Sequence, residues 1–211
     1  MPSPFVYDLV TLLAVVNPIE AAATFATLVG NRDIQQQKQL ALRATAVALT
    51  ILVIFAFAGG ALLTALGIGF PAFRIAGGLL LFSVGFNMVF AKDTGTERLS
   101  PDEQAHAERK DDPSVFPLAI PIITGPGALT TVVALMSKKH QSVLDSGLVI
   151  MASIAVLLLT YFAMRAAHWL TKALGPTGVN AVGRIMGIIV AAIAIQMIIA
   201  GTQEVFPRLT Q

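Results

Sequence analysis

Two short stretches hold the residues that could do chemistry in this chain. The longer is Phe116-Pro117-Leu118-Ala119-Ile120-Pro121-Ile122-Ile123-Thr124-Gly125-Pro126-Gly127-Ala128, apolar but interrupted by three prolines and two glycines. The shorter is Val16-Asn17-Pro18-Ile19-Glu20. Proline has no N–H and crowds the carbonyl four residues earlier. Pro18 and Pro126 should therefore each end one helix and start another, with proline at the first helical position. The restarted helices, near Ile19 and Gly127, present N–H groups of partial positive charge, which suit an anion such as a carboxylate. The halves before the breaks end in carbonyls, which suit an ammonium or a metal cation. Together these ends suit a zwitterion. The candidate substrate contacts are Asn17, Pro18, Ile19 and Glu20 at the first break. At the second they are Thr124, Gly125, Pro126, Gly127, Ala128 and Thr131.

Glu20 is the acidic residue that the pattern puts deep in a span, where carboxylates are costly and functional by default. It could bind a substrate ammonium, or carry a coupling proton if burial raises its pKa. Equally, Asn17 and Glu20 have the spacing of a capping box, which would make Glu20 a helix-start device.

What must position these residues follows from composition. Of 211 residues, 55% are hydrophobic and 12% charged, with mean hydropathy +0.77. A soluble domain carries about a quarter charged residues, so lipid is the solvent here. The absence of cysteine excludes disulfides, thiolate catalysis and Cys-based metal sites. His106, His140 and His168 are not at metal-ligand spacing. The spans hold no Ser–His, His-rich or paired-Asp constellation, so neither an enzyme nor a resident cofactor is expected. No aromatic–basic interleaving points to nucleic acid. Ala21-Ala22-Ala23 resembles a signal-peptide cleavage site, but no Lys or Arg precedes it and the apolar run is too long. The first segment is read as a retained span.

Taking about 20 apolar residues per membrane helix, the chain reads as an all-α polytopic membrane protein. Its six spans are Phe5 to Leu28, Ala44 to Leu66, Ile75 to Phe90, Ser114 to Met136, Gly147 to Met164 and Ile185 to Gln203. Gly67-Ile68-Gly69-Phe70-Pro71 and Gly175-Pro176-Thr177-Gly178 read as turns. The one long connector, Lys92 to Pro113, holds eleven charged residues, seven of them acidic. Within it Ser100-Pro101-Asp102-Glu103 predicts the start of a short surface helix. Asp8 is expected at the outer interface. Ten Lys and Arg fall on one side of the membrane and four on the other. The excess places the connector 92–113 in the cytoplasm and both termini outside.

Arg74-Ile75-Ala76-Gly77 and Arg184-Ile185-Met186-Gly187 stand 110 residues apart, and Asn17-Pro18 and Gly125-Pro126 stand 108 apart. Two anchors at nearly one offset predict a duplicated three-span unit, with repeats at 1–91 and 114–211. An odd number of spans inverts one copy relative to the other, so the fold should be two inverted three-helix repeats with broken helices 1 and 4. Paired broken helices in inverted repeats point to a secondary transporter. At about 1.5 Å per residue both breaks lie ~18 Å into their spans, near the middle of a core about 30 Å thick.

At these residues the chain resembles the MarC family. The resemblance is carried by Asn17-Pro18-Ile19, by Arg74-Ile75-Ala76-Gly77-Gly78, and above all by Pro117-Leu118-Ala119-Ile120-Pro121 leading into Gly125-Pro126-Gly127-Ala128. It implies six spans in two inverted halves and transport of small neutral amino acids such as glycine and alanine in the cytoplasmic (inner) membrane, with coupling to an ion (H⁺ or Na⁺) proposed. Glu20 stands where the family usually has glycine, and Ala23-Thr24 where it often has a second proline. The first expectation is thus alternating-access transport of a small zwitterion. A channel or exporter for another small solute, and a non-transporting scaffold or regulator, are the alternatives.

Overall fold

The computed structural model describes residues 3–29, 32–90, 112–138 and 143–206. Nearly all of the connector, including Ser100-Pro101-Asp102-Glu103, lies outside them. Among the described residues the regular structure is helical: α1 (Pro4–Val16), α2 (Pro18–Val29), α3 (Ile34–Ala65), α4 (Phe70–Phe90), α5 (Pro126–Lys138), α6 (Val143–Arg165) and α7 (Ala167–Val205), with an irregularly wound segment at Ser114–Ile123. Five stretches are long and apolar enough to cross a membrane, α1 and α2 counting together as one. The sixth span is the bent pair of Ser114–Ile123 with the helix from Pro126, turned through 59°.

Local chemistry sets the helix limits. Ser3 accepts the Val6 N–H ahead of Pro4, and Asp33 accepts the Gln35 N–H. Capped at Asp33, α3 begins ten residues before the apolar stretch and runs for 32 residues. The polar residues ahead of the expected span Ala44 to Leu66 are thus helical from Ile34 onward. The turn expected at Gly175-Pro176-Thr177-Gly178 is a break inside α7, where Gly175 adopts φ 62° and separates 167–174 from the long apolar part. Asp8, expected at the interface, is fully buried in α1. Just before the fourth span, Asp112 accepts both the N–H and the hydroxyl of Ser114 and pairs with Arg43 of α3. The Ser114 hydroxyl is the main cause holding the Asp112 carboxyl below its ordinary value, with Arg43 adding to it.

The broken spans are the interior of the bundle. In Pro4–Val29, 61% of the most apolar window is buried, compared with 22–39% in α3, α4, α6 and α7. Interrupted backbone survives at membrane depth when surrounded by protein in this way. α1 and α2 pack on α6 and α7, while α3 covers Ser114–Ile123, α5 and α6. The tightest contact joins α4 to α7, which lie antiparallel with backbones touching. A Cβ on Gly85 would stand 2.7 Å from the Ala191 nitrogen, and one on Gly187 would stand 2.8 Å from the Gly85 oxygen. Further along, Gly201 meets the Pro71 carbonyl. Small residues let helices approach closely where lipid supplies no hydrophobic drive to pack them. Gly187, half of the sequence pair Gly183–Gly187, is thereby used inside the bundle.

Gly85→Ala should lower the thermal midpoint in detergent by several degrees, since overpacking a tight contact costs about 1–3 kcal/mol. Gly147→Ala, on an open helix face, should leave it unchanged or slightly raised.

Candidate functional site

The first break is made by Asn17. It holds φ 48° and ψ 77°, the left-handed region, and is the one non-glycine residue with positive φ among those described. Asparagine tolerates that region better than most residues. Its N–H donates to the Leu13 carbonyl at 3.0 Å and closes α1. Its own carbonyl accepts the Ala21 N–H at 3.0 Å and opens α2. The side chain completes a cap: Oδ1 accepts the Glu20 N–H at 3.4 Å, and Nδ2 donates to Glu20 Oε2 at 2.9 Å. One residue thus ends one helix and begins the next, and the polar groups of the break are largely matched inside it. Half of the expected capping box is present: Asn17 caps the Glu20 N–H, whereas the Asn17 N–H is taken by Leu13 and the Glu20 carboxylate is held by the Asn17 side-chain amide instead.

The second break is built differently. A regular half-helix was expected over 114–124, but Phe116-Pro117 and Ile120-Pro121 are cis and Phe116 and Ile120 are extended. The carbonyl donor–acceptor pattern widens to five residues, as in Leu118 N–H to the Pro113 carbonyl and Thr124 N–H to that of Ala119. Thr124 also donates its hydroxyl to the Ala119 carbonyl at 2.7 Å. Gly125 then accepts from the N–H groups of Ala128 and Leu129 and opens α5. Glycine is required at 125 on contact grounds, since a Cβ there would stand 2.8 Å from the Pro121 carbonyl oxygen; one at 127 would meet only side-chain ends, Leu81 Cδ1 at 2.5 Å.

Both breaks line a single cavity of about 560 Å³. Asn17, Ile19 and Glu20 come from the first; Gly125, Pro126, Gly127 and Ala128 from the second, with Pro121 and Ile122 just before it. Pro18 does not line it. Thr124 is occupied by its own backbone bond, and Thr131 faces a different cavity. Thr24, Thr130 and Thr160 likewise donate to carbonyls of their own helices. The opposite wall supplies Asn87 of α4 and Asn180, Gly183 and Arg184 of α7. Asn17 is 1% and Ala128 2% exposed, whereas Asn87 and Arg184 are exposed. The cavity is therefore deepest at Asn17 and Ala128 and opens at the close of α4, while at the breaks themselves Ile19, Glu20 and Gly125 are half-buried and Pro126 is exposed. Asn180 and Arg184 were not among the expected site residues. Arg184 sits in the repeated Arg-Ile-x-Gly motif, which was the available signal.

A family model described as "MarC family integral membrane protein" matches residues 3–206. The chain belongs to the MarC family. Among its relatives, the UPF0056 membrane protein YvbG of Bacillus subtilis is 35% identical over 100% of this chain and 99% of its own length. The UPF0056 membrane protein MJ0972 of Methanocaldococcus jannaschii is 32% identical, covering 93% of this chain and 86% of its own length. The UPF0056 inner membrane protein MarC of Citrobacter koseri is 30% identical, covering 93% of each. No solved structure matches. As a MarC-family chain this is an integral membrane protein, and the Asn-Pro and Gly-Pro-Gly breaks that carried the resemblance are the two that meet at the cavity.

Asn17→Ala should destabilise the folded protein in detergent by about 1–2 kcal/mol, through loss of the cap and a strained left-handed alanine. Asn17→Gly should cost only a few tenths of a kcal/mol. A glycine variant as unstable as the alanine one would show that the side chain, not the backbone geometry, holds the break.

Proposed function

We propose that this protein is a secondary transporter of small neutral amino acids, glycine-like and alanine-like zwitterions, working by alternating access. The observation that carries the reading is the convergence of two helix starts on one cavity. In the first turns of α2 and α5 the Glu20 and Ala128 N–H groups are capped by Asn17 and Gly125, and the prolines have none. That leaves one donor at each start, the N–H of Ile19 and of Gly127, both residues of the cavity wall. They favour the substrate carboxylate. Glu20, on the same wall, favours the ammonium. The charged groups of the cavity are Glu20 and Arg184, one of each sign, which matches a substrate of no net charge. The volume is at the scale of small-molecule sites, and the close glycines leave room for backbone rather than side-chain recognition.

Substrate enters from the Arg184 end, displaces water from the cavity and docks at the breaks. The coupling ion, H⁺ or Na⁺, is assigned to Glu20, and the solute passes without covalent chemistry, so the protein is not an enzyme. The Lys and Arg distribution puts the connector 92–113 in the cytoplasm and both termini outside. The membrane is the cytoplasmic (inner) one, as in the name of the Citrobacter relative. Two inverted three-span repeats, 1–91 and 114–211, support rocking of the halves about the breaks.

Purified protein in proteoliposomes should show saturable flux and counterflow of labelled glycine or alanine. Flux without saturation would favour a channel, and none for any neutral amino acid would sink the reading. Gly125→Leu, which forces a side chain onto the Pro121 carbonyl, should reduce flux to background while the protein stays folded in detergent. Glu20→Gln should remove the pH dependence of flux if the coupling ion is a proton. Full retention of that dependence would move the coupling site elsewhere.

A further inference from the structure

A second cavity, of about 280 Å³, lies between α1, α4, α5 and α7. Its polar lining is Tyr7, Thr11, Arg74, Thr131 and Gln196. Arg74 is 3% and Thr131 1% exposed, and Arg74 Nε and Thr131 Oγ1 have no hydrogen-bond partner. Buried donors of this kind are costly unless something accepts from them. The remaining contacts of the Arg74 guanidinium close one end: it pairs with Glu204 of α7 and lies 4.8 Å from the centre of the Phe70 ring.

The lining has a counterpart at the breaks. Arg74 lines the smaller cavity, and Arg184, 110 residues on in the same motif, lines the larger one. Thr131 lines the smaller, and Ala23, 108 residues earlier, lines the larger. Because α4 and α7 run antiparallel, with Gly201 against Pro71 and Gly187 against Gly85, the two arginines stand at opposite ends of that pair. The packing partners also keep their pattern on exchanging the first three spans for the last three. The first span meets the fifth as the fourth meets the second, and the first meets the sixth as the fourth meets the third. Both cavities reach the surface, the smaller at Tyr7 and Gln196, and they differ at their arginines. Arg184 is exposed beside the larger, while Arg74 is buried and paired beside the smaller.

We infer that the smaller cavity is the opposite-face half of the translocation path, a second holding point for a solute bearing an acceptor group such as a carboxylate, and that the Arg74–Glu204 pair keeps its buried Arg74–Thr131 end closed in this conformation. The inference rests on the transport reading. Arg74 Nε and Thr131 Oγ1 are the donors that receive the solute. When Arg74 leaves Glu204, that end opens and the larger cavity contracts.

The chain has no cysteine, so single cysteines report directly in the full-length reconstituted protein. Thr131→Cys and Ala23→Cys are each labelled with a water-borne, membrane-impermeant methanethiosulfonate. In the otherwise unchanged chain, Ala23→Cys should react faster. Adding Glu204→Gln should speed Thr131→Cys by roughly tenfold and slow Ala23→Cys, as expected when a charge-assisted bond holding one state is removed. Leu135→Cys, buried on the same cavity, serves as the reporter if Thr131→Cys does not fold. Unchanged labelling in the Glu204→Gln background would overturn the inference, as would faster labelling of the smaller cavity with no fall at the larger. Labelling needs no substrate. Reciprocal labelling without glycine or alanine flux would keep the two-sided path and sink only the substrate class, whereas flux with unchanged labelling would sink this inference alone.

Discussion

The whole arrangement depends on one constraint: a backbone polar group in hydrocarbon must find a partner or sit against protein or water. Both breaks violate helical continuity and answer the constraint in different ways. Asn17 answers it with a single residue, whose N–H, carbonyl and side chain bond to α1, α2 and Glu20. The second break answers it with a wound segment in which five-residue bonds and the Thr124 hydroxyl take up the carbonyl of Ala119. The residues that follow each break, Ile19 and Glu20 at the first and Gly127 and Ala128 at the second, line the same cavity.

Burial enforces the same logic at larger scale. The two broken spans are wrapped by the unbroken ones, and the wrap is tight because α4 and α7 meet through glycine. That pair forms the wall facing the breaks and carries an arginine at each end, one exposed and one buried. A close backbone contact between two long helices moves as a unit more readily than it separates, since packed interfaces have discrete arrangements rather than continuous ones. The two arginines thus stand on one stiff element.

Much of this was legible in the residues. Apolar runs with Gly and Pro punctuation gave the helical membrane class, and proline placement located both breaks. The capping spacing of Asn17 and Glu20 foretold a bond that the structure contains. What was not legible came from longer-range packing. No local pattern reveals that 114–123 is wound irregularly, because prolines at 117 and 121 are as compatible with a kinked helix. Asp8 was expected near the outer face, and its complete burial by neighbours was not visible in local sequence. Thr124 and Thr131 flank the second break in sequence, but helical rotation turns one to its own backbone and the other to the smaller cavity. Asn180 and Arg184 reach the larger cavity only because α7 crosses its mouth.

The length of α3 has a consequence for how the protein sits in its bilayer. Thirty-two residues make a rod of about 48 Å, against a hydrocarbon core of about 30 Å. Its first turns carry Gln35, Gln36, Gln37 and Lys38, with Arg43 a turn later, so the surplus belongs among headgroups and water. The basic residues prefer that zone, and Arg43 is tied to Asp112 at the start of the fourth span. The rod therefore acts as a depth gauge. It fixes the vertical register of the second half, and with it the level at which the wound segment enters the membrane.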